Sequence, residues 1–245
     1  MFEEQLWYSG HVIHEYWGCP DYAGKKVLEI GCAEGGGLHF FAEKGAQCFG
    51  LEYSPSRYRN ALEMDSKKGI TFLLGDFLSP EMYKDKIPDC LDYIILRDVI
   101  EHLKDKRFAL NIVYDLLTKG GKLFLSFPPK YSPFAGHQQV VTNKFGKLPY
   151  LYLLPVPLYK SYLRLLSQPE KRIENLLTIK KLRISLSRME RMLTQIGFHI
   201  EQEDLYIIRP CYERRFGWKC VKNPLSRIPV VREITTLGSL FVVSK

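Results

Sequence analysis

One stretch, Val27-Leu28-Glu29-Ile30-Gly31-Cys32-Ala33-Glu34-Gly35-Gly36-Gly37, constrains the fold of this chain more than any other. Its first four residues read as a buried strand, and the apolar run stops at Gly31. Gly31, Gly35, Gly36 and Gly37 mark a tight turn where backbone must approach another group closely. Leu38 to Lys44 then reads as a helix closed by Gly45. Strand, glycine-rich turn and helix in this order form the opening unit of a nucleotide-binding α/β fold. Such a unit calls for an acidic residue at the end of the next strand, about twenty positions on, to bind ribose hydroxyls. Gln47 to Leu51 supplies that strand and Glu52 the carboxylate. The expected ligand is therefore an adenosine-containing cofactor.

Read as a dinucleotide site, Gly31-x-Ala33-x-x-Gly36 lacks the second glycine, where a pyrophosphate would press against the backbone. Glu29, a carboxylate ending the first strand, also suits an amine better than a phosphate. The run Glu29 to Gly35 instead resembles the first motif of class I S-adenosylmethionine-dependent methyltransferases, with Ala33 at the usual middle glycine. Further matches to that family follow in order. They are Glu52 after strand two, Gly75-Asp76-Phe77 after strand three, Leu91 to Leu103 around strand four, and Lys119 to Pro129 as turn and strand five. The resemblance covers residues 25–130 well and 186–245 loosely.

It implies an α/β fold: a seven-stranded mixed sheet, its last strand antiparallel, flanked by helices, with a helical lid inserted after strand five. One domain is expected over 1–245, with an N-terminal helix in 1–24, a cofactor-binding core in 25–130, a lid in 131–185, and a last helix with strands six and seven in 186–245. The implied cofactor is S-adenosylmethionine, leaving as S-adenosylhomocysteine. The implied cofactor-binding residues are Glu29, Gly31, Cys32, Ala33, Gly35, Glu52, Tyr53, Asp76, Phe77, Arg97 and Asp98. Asp76 lies at the carboxyl edge of the sheet, where it can accept a hydrogen bond from an adenine amino group. Asp98-Val99-Ile100-Glu101-His102 resembles a signature that lies beside the methionine part of the cofactor. His102 and His137 are the candidate general bases, because imidazole titrates near neutral pH. His137 is preferred: its Ser-Pro-Phe-x-Gly-His-Gln loop leaves strand five and resembles one branch of these enzymes. No metal site is expected.

Along the chain, Phe2 to Trp17 reads as an aromatic amphipathic helix that can lay Tyr8, His11 or His14 over the pocket. Ser54-Pro55 opens a helix, serine as cap and proline in the first turn, and Lys67-Lys68-Gly69 closes it. Ile70 to Leu74 reads as strand three and Lys122 to Phe127 as strand five. Asp105 caps the helix between strands four and five, with Gly120 as its stop. Leu186, Met189, Leu193 and Ile196 form the stripe of a last helix ended by Gly197. His199 to Ile208 and Ser239 to Ser244 read as strands six and seven, separated by a long basic excursion with Trp218.

Charge is divided unevenly. Residues 1–129 carry 15 Lys and Arg against 19 Asp and Glu, whereas 130–245 carry 20 against 8, within a total of +8. A basic second half implies a negatively charged partner, substrate or membrane surface, or simply a solvated basic face. The six cysteines form no Cys-x-x-Cys pair, which argues against a disulfide framework or zinc site. Met1-Phe2-Glu3-Glu4 lacks the features of a signal peptide, so a cytoplasmic location is expected, with peripheral membrane contact through the basic aromatic insertion as a variant. The expected reaction is O-methylation of a small-molecule or lipid- or glycan-linked acceptor. The alternatives are N-methylation of a small molecule, protein or nucleic acid, and a non-catalytic binding module on the same fold.

Overall fold

The computed structural model describes residues 1–65 and 69–245. The chain opens with α1 (Phe2–Tyr8), a π-helical turn at Ser9–Ile13 and α2 (His14–Tyr16), so the N-terminal helix is present with one widened turn. It continues as β1 (Lys26–Ile30), α3 (Gly36–Ala42), β2 (Gln47–Glu52), α4 (Pro55–Met64), β3 (Ile70–Leu74), β4 (Leu91–Arg97), α5 (Lys106–Leu116) and β5 (Leu117–Phe127). The insertion contributes α6 (Val156–Leu165) and α7 (Glu170–Leu182). The chain ends with α8 (Leu186–Ile196), β6 (His199–Ile208), α9 (Cys211–Phe216), β7 (Val221–Lys222), α10 (Pro229–Thr235) and β8 (Gly238–Ser244).

One sheet runs in the order β3-β2-β1-β4-β5-β8-β6-β7. Pairings from β3 through β5 are parallel, and β8 is antiparallel to both β5 and β6. The seven expected strands are thus all present, and the two-residue β7 adds an edge within the basic excursion. Helices cover both faces, which is why Val27, Leu28, Glu29 and Ile30 are all buried in β1. Leu28, Ile30, Leu96 and Leu125 pack towards α5 and α8, while Val27, Ile95 and Phe124 pack under the N-terminal helix and α3.

Several boundaries differ from the sequence reading. Helix α3 starts at Gly36, not Leu38, because Gly35 takes the left-handed cap position with φ 75°. Gly120 does not stop α5. The helix ends at Leu116, and the buried Leu117 pairs with Leu91 and carries the chain straight into β5. Gly120 instead sits inside the strand at φ 79°, where the register against β4 shifts. Helix α4 ends at Met64, and the Asp65 carboxylate accepts the Ile70 N–H at 3.2 Å. The expected closure at Lys67-Lys68 lies outside the described residues. Among the described residues no helix is long and apolar enough to cross a membrane.

The insertion has its own small core of Ala135, Val141, Tyr152, Tyr159, Leu163, Ile173 and Leu176. It closes back on the sheet through Tyr152, whose hydroxyl donates to the Lys130 and Ser132 carbonyls at 2.6 and 2.7 Å. The glycine turn is pressed from above by the first helix. A Cβ on Gly36 would collide with the Phe2 carbonyl oxygen, which is backbone and cannot swing aside. Gly36→Ala should therefore destabilise the protein by about 1–3 kcal/mol, the usual cost of forced overpacking. Urea unfolding of the variant and wild type measures it.

Candidate active site

The sheet's chain order reverses between β1 and β4, since β1 to β3 spread in one direction and β4 onward in the other. Open α/β sheets bind ligands in the crevice at the carboxyl ends of such a pair. A cavity of about 570 Å³ lies there, within the roughly 300–1,000 Å³ usual for small-molecule pockets. Gly31 and Ala33 border it from β1, Glu52 and Tyr53 from β2, Asp76 and Phe77 from β3, and Arg97, Asp98 and His102 from β4. Nine of the thirteen expected site residues thus meet in one cavity.

Glu52 is the hub. Its buried carboxylate accepts the Ala33 N–H and the Ser54 N–H, each at 2.8 Å, and so ties together the turns after β1 and β2. Each oxygen keeps a lone pair in a cavity wall, suited to a pair of hydroxyl donors. Ala33 itself lies at φ 51°, a left-handed conformation that a glycine would take without strain. The hydrogen bond its N–H donates to Glu52 holds it there. Asp76 accepts the Leu78 N–H at 2.9 Å through one oxygen, and Phe77 stacks on Tyr83 and forms an apolar floor. Arg97 lies over the ring of Tyr8, 4.7 Å from its centroid.

At the other end, Asp98 sits at φ 53° and both its oxygens accept from Arg209 Nη2 at 2.6 Å. Burial would raise the Asp98 carboxyl, but Arg209, Arg97 and Arg215 outweigh it and hold it below its ordinary value. Next to it, the His102 and His137 rings meet edge-on at 5.0 Å, with Glu101 Oε1 3.9 Å from His102 Nε2. Burial and Arg183 depress His102, against a smaller pull from Asp98. Burial, Arg183 and His102 depress His137 to about 4. Burial and the Asp98 charge push Glu101 up to about 8. Ligand atoms of Glu101, His102 and His137 lie within 4.8 Å of one another, a spacing compatible with a metal ion. The cationic Arg183 that depresses both imidazoles opposes a cation there.

Four expected residues stand off the cavity wall. Strand alternation turns Glu29 to the face under α3, where its Oε2 would lie 2.9 Å from a Cβ on Gly37 and has no hydrogen-bond partner. Burial pushes its carboxyl up to about 7, with Arg97 opposing and Glu52 adding. Cys32 turns its thiol down against Gly50, leaving no room for a side chain there. Gly35 serves as the left-handed cap of α3, against the Phe72 ring. His137 borders a separate cleft with Lys171 and Leu176, because the lid fold places it behind His102. In the first helix, Tyr8 reaches the cavity. His11 stacks on the Trp7 side chain and His14 bonds Tyr22.

Gln5 and Arg209 were not singled out from sequence, yet both border the cavity. Gln5 is buried, donates to the Cys32 carbonyl at 3.1 Å and accepts the Gly36 N–H at 3.3 Å. The signal was present: a glutamine three residues before Tyr8 lies on the same helix face. Arg209, at the end of β6, offered only a lone charge after an apolar strand.

A family model described as a methyltransferase domain matches residues 21–147, just over half of the chain. The chain belongs to this family. Its fold is that of the class I methyltransferases, whose cofactor is S-adenosylmethionine. Solved structures of S-adenosylmethionine-dependent methyltransferases from Mesorhizobium loti and Archaeoglobus fulgidus superpose with TM-scores of 0.56 and 0.54. They share 15% and 14% identity, cover 92% and 98% of this chain, and are themselves covered to 93% and 94%. Phosphoethanolamine N-methyltransferase 1 of Zea mays is 34% identical over 106 residues, 42% of this chain and 20% of the maize protein. The ubiquinone biosynthesis O-methyltransferase of Idiomarina loihiensis is 31% identical over 107 residues, 42% of each chain. The matched stretch therefore spans less than half the length of either curated relative.

The cavity of this methyltransferase fits its family's cofactor in chemistry as well as size. Glu52 offers acceptors for ribose hydroxyls, Asp76 a second acceptor for an amino group, and Phe77 with Ile30 and Leu51 an apolar lining for a flat base. Gln5 locks the first helix over this site. Gln5→Ala should destabilise the protein by about 1–2 kcal/mol through the two lost hydrogen bonds. Amide hydrogen exchange over Phe2–Tyr8 should then be faster than in wild type, while exchange in β4 keeps its wild-type rate.

Proposed function

We propose that this methyltransferase transfers the methyl group of S-adenosylmethionine to a hydroxyl oxygen of a small molecule, with His102 as the proton acceptor. The observation that carries the reading is an imidazole on the cavity wall, in surroundings that disfavour its protonated form. His102 is half-exposed, borders the cavity beside Asp98, and is kept neutral at neutral pH by burial and Arg183. When bound, the cofactor supplies an electrophilic sulfonium methyl. What remains for the protein is to align the acceptor in a dry cavity and to remove its proton.

His102 can take that proton at its ring, with Glu101 and His137 behind it. Glu101, raised to about 8, is largely protonated at neutral pH and leaves the imidazole without a full counter-charge. His137, lowered to about 4, adds no positive charge of its own at that pH. The preferred base therefore shifts from His137 to His102, with His137 as its positioning partner. The Arg209–Asp98 pair fixes the backbone from which His102 departs. Leu103 and Lys104 border the cavity next to His102, on the side from which the acceptor would approach.

Methyl transfer from isotopically labelled cofactor into a small-molecule extract tests the reading, with the product's methyl position read by NMR. Label on oxygen is the expected result, and label on nitrogen would replace it with the amine reading. His102→Ala should lower kcat by about 10²–10⁴-fold, the usual contribution of a general base, with cofactor KM unchanged. His137→Ala should cost less. Because the base acts unprotonated and its pKa is lowered, the acid limb of the wild-type rate profile should lie below the ordinary imidazole value of about 6.5. A limb at or above that value would sink the assignment.

A further inference from the structure

A second cleft of about 460 Å³ lies between the starts of α5 and α8 and shares Lys104 with the cofactor cavity. Its wall carries seven cations: Lys104, Lys106, Arg107, Lys181, Arg183, Arg188 and Arg191. Asp105 is its one acid, and that carboxylate is already used in capping α5 through the Phe108 N–H at 2.9 Å. Among the described residues, none of the seven forms an ion pair. Lys106 donates to the Leu103 carbonyl, Arg107 to the Gln195 side chain and Arg191 to the Ser187 carbonyl, all uncharged.

Arg183 is the decisive member. It is 5% exposed, yet none of its three guanidinium nitrogens has a hydrogen-bond partner. A buried, unpartnered charge is costly to fold around unless something completes it. The Tyr152 ring beneath it, 5.4 Å away, gives only partial compensation. Glu101 is a carboxyl that attracts it, and at neutral pH that group is largely protonated. Helix geometry adds to the field. Lys106 and Arg107 open α5 and Arg188 lies in the first turn of α8, so cations gather at two positive helix ends. For Lys106, Arg107 and Arg188 that placement runs against the helix dipole, and an anion between them would offset it, whereas Lys181 and Arg183 lie at the favourable C-terminal end of α7.

We propose that this cleft binds a small multiply charged anion of the diphosphate class, the charged end of the methyl acceptor. The second clause rests on the methyl-transfer reading; the site itself does not. Seven cations around a concave space of this size exceed what one phosphate neutralises. The small volume of this half-open cleft, about 460 Å³, suits a compact ligand better than a nucleic-acid track or a membrane face. Sharing Lys104 with the cofactor cavity lets one acceptor hold its anionic end here while its hydroxyl reaches His102. Lys106, pulled down to about 8 by burial with Arg188 and Arg183 against Glu101, stays charged at neutral pH and would be held so more firmly beside such an anion.

Calorimetric titration of the full chain with inorganic pyrophosphate and with orthophosphate tests the site without any acceptor. Wild type should bind one pyrophosphate, more tightly than orthophosphate. Arg188→Ala/Arg191→Ala, both exposed positions, should weaken pyrophosphate at least tenfold while S-adenosylhomocysteine binds as in wild type. Arg183→Gln should weaken it too, and a circular dichroism spectrum matching wild type confirms that this buried variant folds. No pyrophosphate binding, equal affinity for the two ions, or an unchanged double variant would overturn the proposal. So would displacement of pyrophosphate by a short RNA that binds more tightly. Loss of S-adenosylhomocysteine binding with pyrophosphate binding intact would strike the methyl-transfer reading and leave the anion site standing.

Discussion

The turn from Gly31 to Gly36 depends on partners from outside itself, and most of the site depends on the turn. Gly35 N–H donates to the Cys32 carbonyl inside the turn, but the amides of Gly31, Cys32, Ala33 and Gly36 are satisfied by other segments. Gly31 N–H and Cys32 N–H donate to the Leu51 carbonyl, Ala33 N–H to Glu52, and Gly36 N–H to Gln5. One carboxylate at the end of β2 and one amide side chain from α1 thereby shape the loop that borders the cavity. Glu52 carries both loads at once: it holds Ala33 in a left-handed conformation and faces the ligand space. A residue with two such roles is poorly replaceable, and the short alanine in place of glycine is tolerable only because Glu52 is there.

The far side of the cavity works by charge. Asp98, again in a left-handed conformation, is pinned by Arg209 from β6, so the last third of the chain sets the shape of the loop after β4. Behind that loop the buried Glu101, the two histidines and the lone Arg183 form one electrostatic unit. Burial drives Glu101 up and both imidazoles down, and each shift favours the neutral form. Within that unit, Arg183 is the charge with no hydrogen-bond or ion-pair partner among the described residues. Its position between lid and groove links the chemistry of the cavity to the basic half of the sequence.

Much of this was legible in the residues because it rests on local rules. Gly197 caps α8 in a left-handed conformation, Ser54-Pro55 opens α4, and Asp105 caps α5, all as their types require. Glu52, Asp76 and Asp98 fall at strand ends, and the carboxyl edge of the sheet gathers them. Other features hang on packing between distant segments. Whether Glu29 faces ligand or helix depends on which face α3 covers, which strand alternation alone leaves open. The position of His137 depends on the lid's own core around Tyr152 and Tyr159, and the motif holds no record of that. Gly120 looked like a helix stop, but pairing of Leu117 with Leu91 claims the chain for β5 first. Arg183 and Arg209 carry no motif, and their weight comes from what surrounds them in space.

The central claim is that Glu52 organises a cavity for S-adenosylmethionine. Calorimetric titration of S-adenosylhomocysteine into wild type and Glu52→Ala addresses it most directly. Loss of hydrogen bonds to a charged group costs about 1.5–3 kcal/mol, so saturable one-site binding to wild type and at least tenfold weaker binding to the variant are predicted. Equal affinity for the two proteins, or binding of NAD in preference to S-adenosylhomocysteine, would contradict the account.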